Sequence, residues 1–265
     1  MRGETAKRVL VAIPWIIVAI TIIVLGGPWF AGALVVFGCL GLREFFQMAR
    51  EYRPFAVPAY LALAGIVGAS WLGSQFNILM FLAVPFLLVF VAAARRQDRD
   101  RVTGSIAVTL LGTFWIGIPL AHAVLLRELP DHGAALLVNV LVGTFACDTG
   151  AYAVGRMFGT HRFAPSLSPN KTIEGLIGGF LIGVLGVWCA GLYQDWLSGA
   201  DALILGAAVA AIAPVGDLFE SMIKRDLRAK DTGTLFGPHG GLLDRLDAVF
   251  FTIVVGYYVS VALVY

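Results

Sequence analysis

Apolar residues gather along this chain into nine runs separated by short polar stretches, at about 9–26, 29–47, 56–73, 77–94, 104–126, 134–155, 173–193, 202–222 and 247–265. Each is close to the roughly 20 residues that an α-helix needs to cross a bilayer core. The pattern predicts an all-α, polytopic integral membrane protein with about nine transmembrane helices. Composition agrees: 59% of the 265 residues are hydrophobic, 14% are charged and the mean hydropathy is +0.86, well away from soluble norms. The first run is longer than a signal-peptide core and a second follows at once at Pro28, so it is read as a span and not as a cleaved leader.

Basic residues then set the orientation, because short loops rich in Lys and Arg stay in the cytoplasm. Arg2, Lys7 and Arg8 precede the first run; Arg50 and Arg53 follow the second; Arg95, Arg96, Arg99 and Arg101 follow the fourth; Arg156, Arg162 and Lys171 follow the sixth; Lys224, Arg225, Arg228, Lys230 and Arg245 follow the eighth. Nine spans put all of these on one side. The N-terminus is expected in the cytoplasm and the C-terminus outside. The net charge of +2 is explained by this one-sidedness and gives no basis for a nucleic-acid partner. Cys39, Cys147 and Cys189 lie inside apolar runs without CxxC spacing and read as small buried hydrophobes.

The two halves differ. Residues 1–130 carry almost no charge inside their spans and read as a transmembrane scaffold or oligomerisation region. In residues 131–265, acids appear at the cytoplasmic ends of spans, which marks this part as the catalytic region. Gly175, Gly179 and Gly183 repeat every fourth residue, a stripe suited to close helix packing.

Three polar clusters fall at the same predicted face. Asp148, Tyr152 and Gly155 are spaced four and three on the sixth span; an intramembrane carboxylate is costly enough to require a partner, either a cation or a neighbouring hydroxyl or Arg. The run Ser168-Pro169-Asn170-Lys171-Thr172-Ile173-Glu174 suits a turn followed by a helix opening at Lys171 to Glu174. It is either an anion site at a helix N-terminus or an ordinary capped start after a basic loop. The third cluster, Ser221 to Asp247, holds five basic and four acidic residues, His239 and four glycines within 27 positions. Asp217, Ser221 and Lys224 share one helix face beside Glu220. Gly233, Gly237, Gly240 and Gly241 would let backbone approach a ligand closely, and Asp244 and Asp247 stand three apart at the start of the last helix.

Carboxylates interleaved with Lys and Arg suit a hard divalent cation that shares its oxygen shell with substrate phosphates. A loop that merely attracts anionic lipid would need the bases and not Asp217, Asp231, Asp244 and Asp247. The reading is metal-assisted phosphoryl or nucleotidyl transfer. A cation-coupled transporter is the rival from another class, but it predicts mid-membrane acids and repeated broken helices. His122 and His132 read as packing or solvent residues; His161 stays open.

The run Ser221-x-Ile223-Lys224-Arg225-x4-Lys230-Asp231-x-Gly233, followed by His239-Gly240-Gly241-x2-Asp244-Arg245-x-Asp247, resembles the signature of the phosphatidate cytidylyltransferase (CDP-diacylglycerol synthase) family. The Asp148 cluster, the Ser168 to Gly175 run and Gly216-Asp217 are similar to it too. The likeness is strong over about 144–256 and only hydropathic before. One departure is Gly237-Pro238, where the family commonly has Pro-Gly. The resemblance implies transfer of CMP from CTP to phosphatidate with Mg2+, a second cation being left open, and a CTP-dependent transferase acting on a polyprenol or ether lipid is the nearest alternative. It implies metal ligands among Asp148, Asp217, Asp231, Asp244 and Asp247. Catalytic and phosphate-holding roles fall to Ser221, Lys224, Arg225, Lys230, His239 and Arg245. Lys171, Glu174, Asn170, Ser168 and Tyr152 would line the substrate site. It further implies a bacterial inner-membrane protein with its site on the cytoplasmic face, acting on CTP and membrane lipid, with a homodimer as one arrangement.

Overall fold

Inside hydrocarbon each backbone amide must bond within its own segment, so long apolar runs fold as helices. The computed structural model describes residues 16–73, 75–233 and 240–265, and for 75–80 the backbone alone. Helix α1 is described over Ile16–Leu25. It is followed by α2 (Gly27–Met48), a 3-10 turn (Arg50–Tyr52), α3 (Ala56–Leu72), α4 (Gln75–Arg95), α5 (Val102–Arg127) and α6 (Gly133–Phe158). Strands β1 (Arg162–Ala164) and β2 (Ser168–Thr172) lead to α7 (Ile173–Gly191), α8 (Gly199–Asp226) and α9 (Leu243–Val264). Six of these, α2 and α5 to α9, are long and apolar enough to cross a membrane. The chain is an all-α membrane protein carrying one small hairpin.

That hairpin corrects the expected turn at Ser168 to Thr172. β1 and β2 pair antiparallel, with Arg162 opposite Thr172 and Ala164 opposite Ser168. A two-stranded ribbon is all edge, so Pro169 is tolerated in it. The helix also opens later than expected. Thr172 is its N-cap, with its hydroxyl accepting from the Gly175 amide at 3.1 Å, so Lys171 approaches from a strand and not from a helical first turn.

Glycines decide how the helices of residues 131–265 meet. Gly175, Gly179 and Gly183 lay α7 against α6: a Cβ added at Gly179 would stand 2.7 Å from the Cys147 carbonyl, and one at Gly183 3.0 Å from the Cys147 Cβ. Gly216 of α8 abuts the backbone of Asp247 and Ala248 in α9. At the far end of the bundle, Gly26 and Gly27 take φ of 62° and 50°, which frees both helix termini there. The α5 end satisfies them: Arg127 donates to the carbonyls of Ile23 (2.5 Å) and Val24 (3.2 Å), and Glu128 accepts from the Gly27 amide at 2.9 Å.

The core runs through both halves of the chain. Leu42 and Phe45 of α2, Ile116 of α5, Leu136 of α6 and Phe250 of α9 belong to one buried cluster. Trp115 joins the site-bearing helices, with its ring 5.7 Å from Phe45, 5.3 Å from Phe219 and 6.3 Å from Phe250. Several polar side chains in this core bond locally or in pairs, while the Trp115 indole and the Ser260 hydroxyl find no hydrogen-bond partner among the described residues. Thr144 meets Thr252 at 2.8 Å, and Asn139 and Gln194 exchange two amide bonds of 2.9 Å. His122 and His132 are packing residues: His122 bonds the Ile118 carbonyl, and His132 stacks on Trp196 at 4.0 Å. Cys39 is half-buried and Cys147 buried, but Cys189 is exposed on its helix. A lipid-facing position is as apolar in sequence as a core one, so hydropathy does not separate the two.

Overfilling the α6–α7 seam should cost about 1–3 kcal/mol, as overpacking does elsewhere. Gly179→Leu is therefore expected to lower the thermal unfolding midpoint in detergent, while the same change at Gly68, where an added Cβ meets nothing within 4 Å, should leave it nearly unchanged.

Candidate active site

At the end of the bundle where α9 begins, α6, α7, α8, α9 and β2 enclose a cavity of about 340 Å3. Asp148, Tyr152, Asn170, Lys171, Asp217, Asp244 and Asp247 line it, with Cys147, Thr172 and Pro214 among the neighbours. The seams just described explain the convergence. The close α6–α7 contact at Cys147 sets Asp148 at the wall. The Gly216–Asp247 contact brings Asp217 and Asp247 to adjacent turns of two helices.

The charges are unevenly matched. Asp148 feels both Asp247 and Asp217, with Lys171 the opposing cation, and Asp247 feels Asp217, Lys224 and Lys171. The Lys171 ammonium lies 2.6 Å from an Asp217 oxygen, yet its buried nitrogen meets no acceptor at hydrogen-bonding angles. One side of the ammonium is thus given to Asp217, and the rest of its three protons stay available to another acceptor. Asp148 has no ion pair or hydrogen bond with the described residues, and Asp247 accepts only from the adjacent Ala248 amide, at 2.8 Å. A cavity with uncommitted carboxylate oxygens and an ammonium holding spare protons suits a cation and a phosphate bound together. Among the described residues no three His, Cys, Asp or Glu form a ready-made metal cluster. Asp148 and Asp247 are the residues that could hold a hard divalent ion, which needs only one or two protein carboxylates when water and substrate complete its shell.

Lys224, expected to hold phosphate, is engaged otherwise. It bridges Glu220 at 2.7 Å and Asp244 at 2.8 Å, and the Glu220 side chain is 1% exposed. Removing the ammonium would leave two carboxylates uncompensated, a change that costs about 3–5 kcal/mol in buried pairs. The single helical face read from Asp217, Ser221 and Lys224 is thus split: Asp217 turns to Lys171, and Lys224 turns to Glu220 and Asp244.

Asp244 is saturated. Besides Lys224 it accepts from the Thr232 amide (2.9 Å), the Thr232 hydroxyl (2.9 Å) and the Gly241 amide (2.8 Å). It ties the polar loop to α9. Behind it stands Glu44 of α2, 6% exposed, which accepts from the amides of Leu242 (2.9 Å) and Leu243 (3.0 Å) and lies 3.3 Å from the Thr232 hydroxyl. The first amides of α9, unpaired by geometry, are thereby capped from a distant helix. Sequence reading missed Glu44 because the N-terminal half looked free of interior charge; the signal was Arg43-Glu44 inside an apolar run. Two of the loop glycines have a structural reason as well: a Cβ at Gly233 would stand 2.6 Å from Glu44, and one at Gly240 would stand 2.5 Å from Asp244, so both bring backbone close to these carboxylates.

The other expected residues divide by position. Tyr152 and Asn170 line the cavity, and the Tyr152 hydroxyl accepts from Arg156 at 2.7 Å. Glu174, expected at the substrate, instead secures the chain before β1, accepting from the Thr160 hydroxyl (2.6 Å), the Thr160 amide (3.1 Å) and the His161 ring (2.6 Å). Ser168 sits in the hairpin and Ser221 is half-buried on α8; neither lines the cavity. Arg225 donates from Nε to the Leu167 carbonyl at 3.4 Å. Lys230 and Asp231 are exposed on the loop outside the cavity lining, and Arg245 is exposed on the first turn of α9. His239 and the Gly237-Pro238 pair lie outside the described residues.

Fold and cavity together define an integral membrane protein that holds acids and an available lysine at one end of its helices. The chain belongs to the cytidylyltransferase family, whose model matches residues 6–263. It is 33% identical to a phosphatidate cytidylyltransferase of Synechocystis over 97% of both chains, and 32% identical to one of Haemophilus influenzae over 92% of this chain and 94% of that one. A Bacillus subtilis protein of the same name is 26% identical over 94% of each. The likeness thus extends through the N-terminal half, where only hydropathy had been legible.

Glu44→Gln turns an amide donor toward the Leu242 and Leu243 amides and leaves buried groups unmatched, at about 1–3 kcal/mol for each. Faster hydrogen exchange at residues 241–243, with α5 and α6 unaffected, is the expected outcome. Wild-type protection there would remove Glu44 as the cap of α9.

Proposed function

We propose that this chain is a phosphatidate cytidylyltransferase: it joins phosphatidate to the α-phosphorus of CTP, giving CDP-diacylglycerol and releasing pyrophosphate. The observation that carries this reading is the cavity that Lys171, paired on one side with Asp217, shares with the little-engaged carboxylates of Asp148 and Asp247, in a member of the cytidylyltransferase family. The relatives named above support the lipid substrate. The lipid keeps its acyl chains among the helices, and its phosphate meets the nucleotide at the polar end of the bundle.

A phosphate monoester has a second pKa near 6, so its oxygen is already anionic at neutral pH and needs no strong base. That oxygen forms the new P–O bond as the bond from the α-phosphorus to the β-phosphate oxygen breaks, and the electron pair leaves with pyrophosphate. Two polyanions must be aligned and their repulsion offset, which is the main protein task in phosphoryl transfer. Lys171 supplies positive charge at the centre, held in place by Asp217. Arg225, Lys230 and Arg245 reach the triphosphate from the rim, and His239 and Ser221 assist its placement. Lys224, with Glu220 and Asp244, keeps the α8–α9 junction in register.

Asp148 and Asp247 would hold Mg2+, with Asp217 beside them, while Asp244, already saturated, and Asp231, outside the lining, serve the loop. When bound, Mg2+ offsets charge on the phosphates and stabilises the leaving pyrophosphate. Residues 131–265 carry the chemistry; residues 1–130 form the scaffold and the face for a homodimer, with Glu44 reaching across. The proposal retains nine spans, a cytoplasmic N-terminus and an active site on the cytoplasmic face of a bacterial inner membrane, supported by the one-sided basic loops and the rule that retains them.

Purified protein given labelled CTP, phosphatidate and Mg2+ should release pyrophosphate and a CDP-lipid in equal amounts, with little product from polyprenyl or ether lipids. Asp148→Asn, Asp247→Asn and Lys171→Met should each cut turnover by about a hundredfold or more, the scale seen when one preorganised charge contact is lost. Wild-type-like turnover in all three would sink the assignment. For orientation, a cysteine introduced at position 98 should be shielded from an impermeant thiol reagent in intact cells and one at 131 labelled; the reverse pattern contradicts the topology.

A further inference from the structure

A second cavity, of about 590 Å3, opens at the same end of the bundle but shares no residue with the first; Arg43, Phe46, Gln47, Arg50, Ala56 and Tyr60 line it. It exists because α2 ends at Met48, the chain reverses through the 3-10 turn and Arg53 in left-handed conformation (φ 49°), and α3 starts back at Ala56. Arg43 and Gln47 lie one helical turn apart and Arg50 follows three residues on, so their donor groups point to one side. Phe46 and Tyr60, tilted against each other with ring centroids 6.4 Å apart, line the same cavity, so aromatic surface lies beside the cations.

Its arginines are unspent while their neighbours are not. Arg53 pairs with Asp98 at 2.8 Å, Arg96 donates to Ser105 at 2.9 Å and lies over the Phe55 ring, Arg99 donates to the Ala93 and Ala94 carbonyls, and Arg101 lies 3.9 Å from Asp100. Among the described residues, Arg43 and Arg50 have no carboxylate or hydrogen-bond partner, and no acid lines the cavity. A rim with two guanidinium groups and no carboxylate favours an anion, and guanidinium forks match phosphate oxygens two at a time. Phe46, Ala56 and Tyr60 add apolar surface beside these cations, which suits an amphiphile. The depth is that of the bilayer interface, since Glu44, one residue along from Arg43, touches the start of α9.

We propose that this cavity binds the phosphate headgroup of an anionic membrane lipid as a site separate from the one that turns over substrate. The same chemistry would recognise free phosphate, and the two are separable by experiment. Full-length protein, stripped of lipid in detergent, is titrated with phosphatidylglycerol, phosphatidylcholine or inorganic phosphate and the bound species are counted by native mass spectrometry. Phosphatidylglycerol should be retained over phosphatidylcholine by about tenfold, as expected from two interfacial arginines. Lys171→Met should keep that preference and the Arg43→Gln/Arg50→Gln variant should lose it. A photoactivatable phosphatidylglycerol on the unmodified protein should label residues 43–60, a readout that does not depend on folding of the variant. The assignment is overturned by equal retention in the double variant, by loss in Lys171→Met instead, by absence of label at 43–60, or by inorganic phosphate displacing the lipid at comparable concentration.

Discussion

One carboxylate pair holds together the end of this molecule where α9 begins. Asp244 gathers Thr232, Gly241 and Lys224, and Glu44 takes the next amides of α9 from the opposite half of the chain. A helix beginning at a membrane surface has unpaired amides and a partial positive charge at its start. Here both are met by an acid buried on another helix. That bond network fixes where α9 starts and so where Asp247 points. It also accounts for Gly233 and Gly241, since any side chain there would collide with Glu44.

From that anchor the cavity follows by packing. Small residues let α7 ride on α6 and α8 on α9, and each seam carries an acid to the same space: Asp148 from one, Asp217 and Asp247 from the other. Three like charges in so small a volume are unfavourable unless something positive joins them. Lys171 offsets part of the repulsion, and in the proposed reaction a cation arriving with the nucleotide would offset more.

Much of this was legible in the sequence, and what was not has identifiable physical causes. Helices fall on the apolar runs because the bilayer permits little else, and the acids at 148, 217, 244 and 247 converge because charge inside a membrane is tolerated only in company. Periodicity could not say which partner each charge would choose: Lys224 and Asp217 share a helix face, yet turn to different neighbours. The strand at Ser168 to Thr172 was hidden because Pro and Asn signal a turn as readily as an edge ribbon. Glu44 escaped notice because a single acid in an apolar run reveals nothing of a partner some 200 positions away. The same blindness covered the family likeness of the N-terminal half, which comparison with whole relatives recovers.

The account stands or falls on where the nucleotide sits. A high-resolution structure of the protein in lipid with Mg2+ and a non-hydrolysable CTP analogue should show the triphosphate between Lys171 and the Asp148–Asp247 pair, with Glu44 still bonded to the first amides of α9. A triphosphate lodged elsewhere, for instance against Arg43 and Arg50 with the acid-lined cavity empty, would contradict it.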